Sequence, residues 1–115
     1  IGCAQITTLT KDDLQFLGIQ FRHLAIYNNN IEWLKADVFD YTPTLETVYL
    51  ANNKIQYVEK GTFDKLEILS HFNLKHNFCF DGYAFDRMFV LQMIPYVEEH
   101  CKPQNHSVKL MNFKN

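Results

Sequence analysis

The fold of this chain is decided by two adjacent stretches of 24 residues that repeat one another. The first, FRHLAIYNNNIEWLKADVFDYTPT, occupies residues 21–44, and the second, LETVYLANNKIQYVEKGTFDKLEI, occupies residues 45–68. They align without a gap. A period of this length is not produced by an amphipathic helix and indicates stacked repeats. The matched positions are Phe21, Leu24, Ile26, Asn29, Ile31, Leu34 and Phe39, which recur as Leu45, Val48, Leu50, Asn53, Ile55, Val58 and Phe63.

The pattern continues in both directions but is incomplete at each end. A third copy opens with Leu69, Phe72, Leu74, Asn77 and Cys79 in register and then departs from the pattern. Upstream, the second half of a unit recurs at a spacing of 25, as Ile6, Leu9, Leu14 and Leu17. The sequence therefore predicts a single domain over residues 1–101 and a polar tail over 102–115. The domain divides into a partial unit 1–20, full units 21–44 and 45–68, a half unit 69–80 and a C-terminal cap 80–101.

Each unit carries the signature of a half-buried strand followed by a turn. Apolar residues alternate in Leu24-Ala25-Ile26 and in Val48-Tyr49-Leu50, so one face of each strand is buried and the other exposed. One unit cannot bury its apolar face alone, but stacked units share a continuous core. Asn29, Asn53 and Asn77 fall where the chain leaves each strand. Their side chains are expected to bond backbone groups that the turn leaves unpaired, which makes them structural.

Composition excludes several classes of protein. The 115 residues are 47% hydrophobic and 21% charged with a net charge of −2, which is typical of one globular domain and not of a disordered tail. A binder of nucleic-acid phosphates would need a basic surplus. Glycine is too scarce for a phosphate-binding loop. The uncharged stretch Met88–Val97 is too short to span a bilayer.

The frame L-x-x-L-x-L-x-x-N-x-I-x-x-L followed by Phe resembles the extracellular, 24-residue class of leucine-rich repeats over roughly residues 6–80. The resemblance implies an α/β repeat fold. It would be a short leucine-rich-repeat solenoid with a parallel sheet on the concave side and a helical C-terminal cap. Extracellular members commonly staple such caps with disulfide bonds, which implies a bond between Cys79 and Cys101. The usual four cysteines and the Asn-Pro-Trp entry are missing, and the alternative is a buried Cys79 thiol in place of isoleucine.

The cap sequence predicts a helix and leaves a surplus of apolar residues. Asp81 or Gly82 is expected to start the helix, and Pro95 is expected to kink it or to begin a new short helix. Its largely apolar inward face is predicted to contain Phe85, Met88, Phe89 and Gln92. Val90 and Leu91 cannot both share that face, so at least one is a candidate contact in a dimer. The alternative is that the kink folds the segment back and buries the excess.

Cys3 bears on assembly of the chain, and Asn105 bears on its secretion. Cys3 lies in the first unit, at least three strand spacings from Cys79, which is too far for an intrachain bond to the cap. It is a free thiol, an interchain link, or half of a pair with a missing partner. Asn105-His106-Ser107 is an acceptor sequon for N-glycosylation, which agrees with a secreted chain.

No arrangement of residues in the sequence indicates an enzyme, a metal site or a cofactor. His23 and His71 occupy the same column of the sheet but lie two strand spacings, roughly 10 Å, apart, too far for joint metal binding. Motifs such as H-E-x-x-H, G-x-S-x-G and C-x-x-C are absent. The acidic residues of the turns are interpreted as caps and solvated positions.

The outward residues of the strands have no structural role and form the candidate binding face. Tyrosine and arginine are enriched in interface hot spots, although tyrosine also suits a solvent-facing strand. The partner-binding candidates are Arg22, His23, Tyr27, Glu46, Thr47, Tyr49, His71, Asn73 and Lys75.

The favoured function is therefore non-catalytic protein recognition outside the cell. In style, the narrow repeats with Asn-rich strand exits are similar to secreted leucine-rich-repeat proteins of insect innate immunity. That resemblance implies complement-like or pathogen-surface partners and pairing with other repeat chains. The alternative function is a structural or assembly module that dimerises through its C-terminal cap or Cys3.

Overall fold

The computed structural model describes residues 7–102, and its elements follow the repeat. Strands β2, β4 and β6 occupy the same place in successive units, as do β3 and β5. In chain order the elements are β1 (Thr8–Leu9), α1 (Lys11–Leu14), a 3₁₀ turn (Gln15–Leu17), β2 (His23–Ala25), β3 (Trp33–Leu34), β4 (Thr47–Tyr49), β5 (Tyr57–Val58), β6 (His71–Asn73), β7 (Tyr83–Ala84) and α2 (Arg87–His100).

The strands form two sheets whose register follows the sequence repeat. Strands β2, β4 and β6 pair in parallel, and Leu24, Val48 and Phe72 lie opposite one another at intervals of 24 residues. On the other side of the chain, β1, β3 and β5 form a second parallel sheet. The 24-residue period thus sets which residues neighbour each other, because each unit advances the chain by one strand spacing.

The core lies between the two sheets and consists of columns of repeat-related side chains. Leu24, Val48 and Phe72 are all at most 3% exposed. On the turn side, the rings of Phe39 and Phe63 lie 5.8 Å apart, and Phe63 meets Phe72 edge-on at 5.5 Å. Each such side chain contributes about 1.5–3 kcal/mol relative to an exposed one. No single unit could obtain this burial alone.

The asparagine ladder has the structural role predicted for it. The Asn53 side-chain amide donates to the carbonyls of Ile26 and Leu50 at 2.9 and 3.0 Å, and its oxygen accepts from Ile31 N at 3.3 Å. Asn77 repeats this arrangement one unit later, bonding the carbonyls of Leu50 and Leu74. Asn53 and Asn77 therefore each bond their own turn to the preceding unit, whereas the Asn29 amide donates to Tyr27 O within its own turn.

The residue before each ladder asparagine has a left-handed backbone. Asn28, Asn52 and His76 have φ values of 56°, 58° and 61°. Asparagine tolerates this region better than most residues. The repeated conformation explains why the turns are rich in asparagine. It also shows that the third unit still makes the same turn with a histidine.

The C-terminal region begins with a strand that the sequence pattern did not predict. Strand β7 pairs antiparallel with β6, placing Ala84 opposite Phe72 and Tyr83 opposite Asn73. The expected helix start at Asp81 or Gly82 is wrong, because these residues form the reversal that leads into β7. Helix α2 begins only at Arg87, where the Asp86 side chain caps it by accepting from Phe89 N at 2.9 Å.

Helix α2 buries a different face from the one expected. Its buried residues are Val90, Ile94 and Val97, at helical spacing, and Cys101 follows on the same side. Phe85, Met88 and Phe89, predicted to face inward, are all more than half exposed. The candidacy of Val90 as a dimer contact is therefore wrong, since it is fully buried. Leu91 is exposed.

Pro95 lies inside α2, which runs without interruption from Arg87 to His100, so the new short helix expected at Pro95 is absent. Pro95 is exposed, as is Leu91, whose carbonyl would have bonded an N–H at residue 95. The missing hydrogen bond therefore lies on the side of the helix that faces water. The missing hydrogen bond therefore costs less free energy, because water can bond the Leu91 carbonyl instead.

Several contacts attach α2 to the repeats. The disulfide bond joins Cys79 to Cys101, with Cα atoms 5.1 Å apart. Nearby, Val58 N donates to the carbonyl of Cys101 at 2.7 Å. At the start of the helix, the Arg87 guanidinium donates to two main-chain carbonyls, those of Leu66 and Leu69. Both ends of α2 are thus held.

The N-terminal Cys3 and the sequon at Asn105 lie outside the described residues, together with most of the tail 102–115. Their predicted roles remain predictions. Among residues 7–102, no helix combines the length and the apolar character needed to cross a membrane.

Candidate protein-binding surface

The candidate surface is the solvent side of the four-stranded sheet, called the sheet face below. Strand residues alternate between the core and this face. One column of the face runs His23, Thr47, His71, and a second runs Ala25, Tyr49, Asn73. Because β7 continues the sheet, Tyr83 extends the second column opposite Asn73.

Arg22 and Glu46 form an ion pair at the edge of the sheet face, with Nη1 and Oε2 2.5 Å apart. Their side chains are 57% and 36% exposed, so water screens much of the attraction, and the pair adds little stability. The pair holds two long side chains in a defined arrangement at the sheet surface. Both were predicted partner-binding residues, and the structure brings them together.

The histidines of the sheet face each meet a hydroxyl. His23 Nδ1 lies 3.0 Å from Thr47 Oγ1, and His71 Nδ1 lies 3.2 Å from Ser70 Oγ. Thr47 is only 9% exposed, so its inclusion among the partner-contacting residues is wrong. Thr47 lies between His23 and His71 in the same column, and its hydroxyl orients the His23 ring.

The two tyrosines predicted as binding residues are exposed. Tyr27 is 47% exposed at the strand exit, and Tyr49 is 36% exposed at the end of β4. Asn73 is half-buried, and its side-chain oxygen accepts from the backbone N–H of Lys75 at 2.9 Å. Tyr27 and Tyr49 are therefore both accessible to a partner on this surface.

An aromatic cluster at the C-terminal end of the sheet face was not predicted from the sequence. The rings of Tyr83 and Phe85 lie 4.6 Å apart, and Phe85 lies 6.2 Å from the ring of His71. Lys75 Nζ sits 5.4 Å from the centre of the Tyr83 ring, within range of a cation–π contact. Tyr83-Ala84-Phe85 contains no alternation of polar and apolar residues, so no strand signal marked this position in the sequence.

The sheet face has the chemistry of a contact surface. It presents phenol rings, one benzyl ring, imidazoles and a lysine, several of them held by neighbours. Within residues 7–102, no group of three His, Cys, Asp or Glu side chains could hold a metal ion. In the same range no carboxylate bonds to the ring of His71, so the Ser70–His71 contact lacks the orienting third group of a hydrolytic triad.

Comparison with known proteins agrees with the repeat geometry. The family model described as leucine rich repeat matches residues 19–78, just over half of the chain. A search of curated proteins finds no match. Leucine-rich-repeat domains generally mediate protein–protein interactions and are typically not enzymes. The matched segment contains β2 to β6 and the ladder asparagines, which are the parts that form the stacked sheets. The chain therefore belongs to the leucine-rich-repeat family.

Proposed function

We propose that this chain is a non-catalytic recognition module that acts outside the cell and binds a protein partner through the sheet face. The observation that carries the proposal is the row of exposed aromatic side chains on that face. Tyr27, Tyr49, Tyr83 and Phe85 are each at least 36% exposed. Tyr49 and Tyr83 stand on strands β4 and β7, and Tyr27 and Phe85 lie just past the ends of β2 and β7. Nothing in the core requires aromatic residues at these positions.

The arrangement suits a protein partner better than a small ligand. Tyrosine offers a large apolar area with a polar tip at low entropic cost, and it is enriched in interface hot spots. The Arg22–Glu46 pair and Lys75 supply polar contacts at the rim. In this proposal the stacked sheets act as a rigid support, and the side chains on them make the contact.

The area of the sheet is too small to form a standard protein–protein interface by itself. The four strands, spaced about 4.8 Å apart, span about 19 Å, and a strand of three residues is about 10 Å long, so the sheet covers only about 190 Å² in plan. A standard interface needs roughly 800 Å² from each partner. The partner must therefore also contact the flanks of the sheet, or the chain must present more than one copy of the face.

An extracellular location is supported by the disulfide bond between Cys79 and Cys101. Structural disulfides persist in oxidising compartments and are rare in the cytosol. The sequon at Asn105 agrees with secretion. An innate-immune role, with complement-like proteins or pathogen surfaces as partners, rests on the resemblance in repeat style alone.

The proposal is tested with variants of the sheet face and a matched control. Proteins from extracellular fluid that bind the immobilised chain are purified, and the affinity of each is measured by calorimetry. The double variant Tyr27→Ala, Tyr49→Ala should raise the dissociation constant of a specific partner at least tenfold. The control, Tyr41→Ala, removes a tyrosine of similar exposure from a turn outside the sheet and should leave affinity unchanged. Binding that survives the double change but is lost in the control would contradict the proposal.

A second candidate function is an assembly module that joins copies of the chain through the C-terminal segment. The observation that favours it is the exposed apolar side of α2, where Met88, Phe89, Leu91 and Tyr96 are each more than half exposed. This function concerns a different surface from the sheet face. The two functions are compatible.

A further inference from the structure

Over residues 88–97, helix α2 has no charged side. A helix on the surface of a globular protein normally carries charged and polar residues on the face that meets water. From Met88 to Val97 the helix contains no charged residue. Its solvent side, called the outer helix face below, consists of Met88, Phe89, Leu91, Gln92, Pro95 and Tyr96.

The inner side of α2 already covers the end of the repeats. Val90 and Val97 are fully buried, and Ile94 is 8% exposed. The helix is not folded back at Pro95, so the apolar excess is not hidden within the segment. The residues of the outer helix face are therefore not needed for covering the core. They expose apolar area that costs free energy in water.

The outer helix face also contains a groove. A cavity of about 280 Å³ runs along the helix, lined by Phe80, Phe89, Gln92, Met93, Tyr96 and His100. Gly82 allows this shape, because a Cβ at that position would lie 2.9 Å from the Phe80 ring and 3.8 Å from Met93 Sδ. The groove gives a partner side chain a place to insert, as knobs insert into holes between helices.

We propose that the outer helix face is the contact between two copies of this chain, which pair about a two-fold axis with their α2 helices antiparallel. The four large apolar residues of the face are each 52–68% exposed. At about 150–250 Å² per fully exposed side chain they offer about 360–600 Å². Gln92, Pro95 and the groove walls bring the area toward the roughly 800 Å² that each partner of a stable complex buries.

Self-pairing fits the charge distribution of the helix. The outer helix face is neutral, so it has no charge for a foreign partner to complement. The exposed Glu99 stands at the C-terminal end of α2, where Lys102 Nζ lies 3.2 Å from its carboxylate, whereas Glu98 accepts from Gly61 N of its own chain. Antiparallel pairing places that end of each copy beside the positive N-terminal end of the other helix, where anionic side chains are favoured. A two-fold arrangement also places Gln92, at the middle of the face, near its own copy.

The proposal rests on the second candidate function, the assembly module, and specifies its contact. It is independent of partner binding by the sheet face, because the two surfaces use different residues. It is tested by sedimentation equilibrium of the full chain carrying Cys3→Ser, so that no interchain disulfide at Cys3 contributes to the mass. The expected result is a dimer. Leu91→Lys and Phe89→Lys should each raise the dimer dissociation constant at least about 100-fold, because every substitution buries two unpaired charges.

The matched control is Ile19→Lys, which places the same charge on a residue of similar exposure at the opposite end of the chain. It should leave the dimer intact. Circular dichroism checks that the variants are folded, which is expected since the substituted side chains are exposed.

A crosslink locates the contact directly. In the Cys3→Ser background, Gln92→Cys should form a disulfide-linked dimer on mild oxidation, whereas Ile19→Cys should not. A full chain that remains a monomer at high concentration overturns the proposal. A dimer that both lysine variants leave intact and that Gln92→Cys does not crosslink also overturns it.

Discussion

Tyr83 lies opposite Asn73 in an antiparallel strand pair, and this pairing joins the sheet to the C-terminal helix. All other pairs in the sheet are parallel and follow the repeat. The reversal brings Tyr83 and Phe85 onto the sheet face and directs the chain into α2 at Asp86. One short strand thus positions both candidate contact surfaces.

The asparagine ladder should carry a large share of the stability. Asn53→Ala removes a 4% exposed side chain with bonds to Ile26, Leu50 and Ile31, leaving buried backbone groups without partners. We expect a loss of about 2–4 kcal/mol in unfolding free energy, measured by urea denaturation. The adjacent, exposed Lys54→Ala is the control and should change it by less than about 0.5 kcal/mol. Equal effects in the two variants would contradict the structural role of the ladder.

The disulfide should stabilise the attachment of α2. The bond between Cys79 and Cys101 spans 22 residues, for which the chain-entropy model gives about 3 kcal/mol. A reducing agent should therefore lower the midpoint of thermal unfolding of the native chain. The double variant Cys79→Ala, Cys101→Ala should start from the lower midpoint and be insensitive to the reductant. If the native chain is equally insensitive, the bond is absent from the protein in solution.

Asp86 should be required as the cap of α2 and not for its charge. Its side chain accepts from Phe89 N, and Asp86→Ala should cost about 1 kcal/mol in unfolding free energy. Asp86→Asn keeps the accepting oxygen without the charge and should retain most of the stability. A large loss in the asparagine variant would show that electrostatic interaction with the helix end outweighs the hydrogen bond. Chemical denaturation of the three proteins makes the comparison.

The ion pair on the sheet face should contribute little to folding. Arg22 and Glu46 are both partly exposed, so Glu46→Gln is expected to change the unfolding free energy by at most about 1 kcal/mol. The difference between the two proteins should shrink further at an ionic strength of about 1 M, since screening weakens exposed pairs. A difference above about 2 kcal/mol that persists in high salt would mean that the pair is effectively buried.

The sequence by itself determined the repeat and its register. The 24-residue period states which residues neighbour each other, since every unit advances by one strand, and so the period alone aligns Leu24, Val48 and Phe72. The ladder role of Asn53 followed from the same alignment. Apolar positions contrast with polar neighbours in these units, and that contrast made the prediction possible.

Only the tertiary structure decided the C-terminal region. Between Met88 and Val97 every residue except Gln92 is apolar or aromatic, so the sequence offers little contrast from which to choose the buried side of the helix. The choice of Val90 and Ile94 over Phe85 and Phe89 comes from the place where β7 ends, which sets the rotation of α2 against the last unit. Because β7 pairs antiparallel across a reversal outside the repeat, no period could predict it. The cluster of Tyr83 with Phe85 and the exposed outer helix face both follow from that placement.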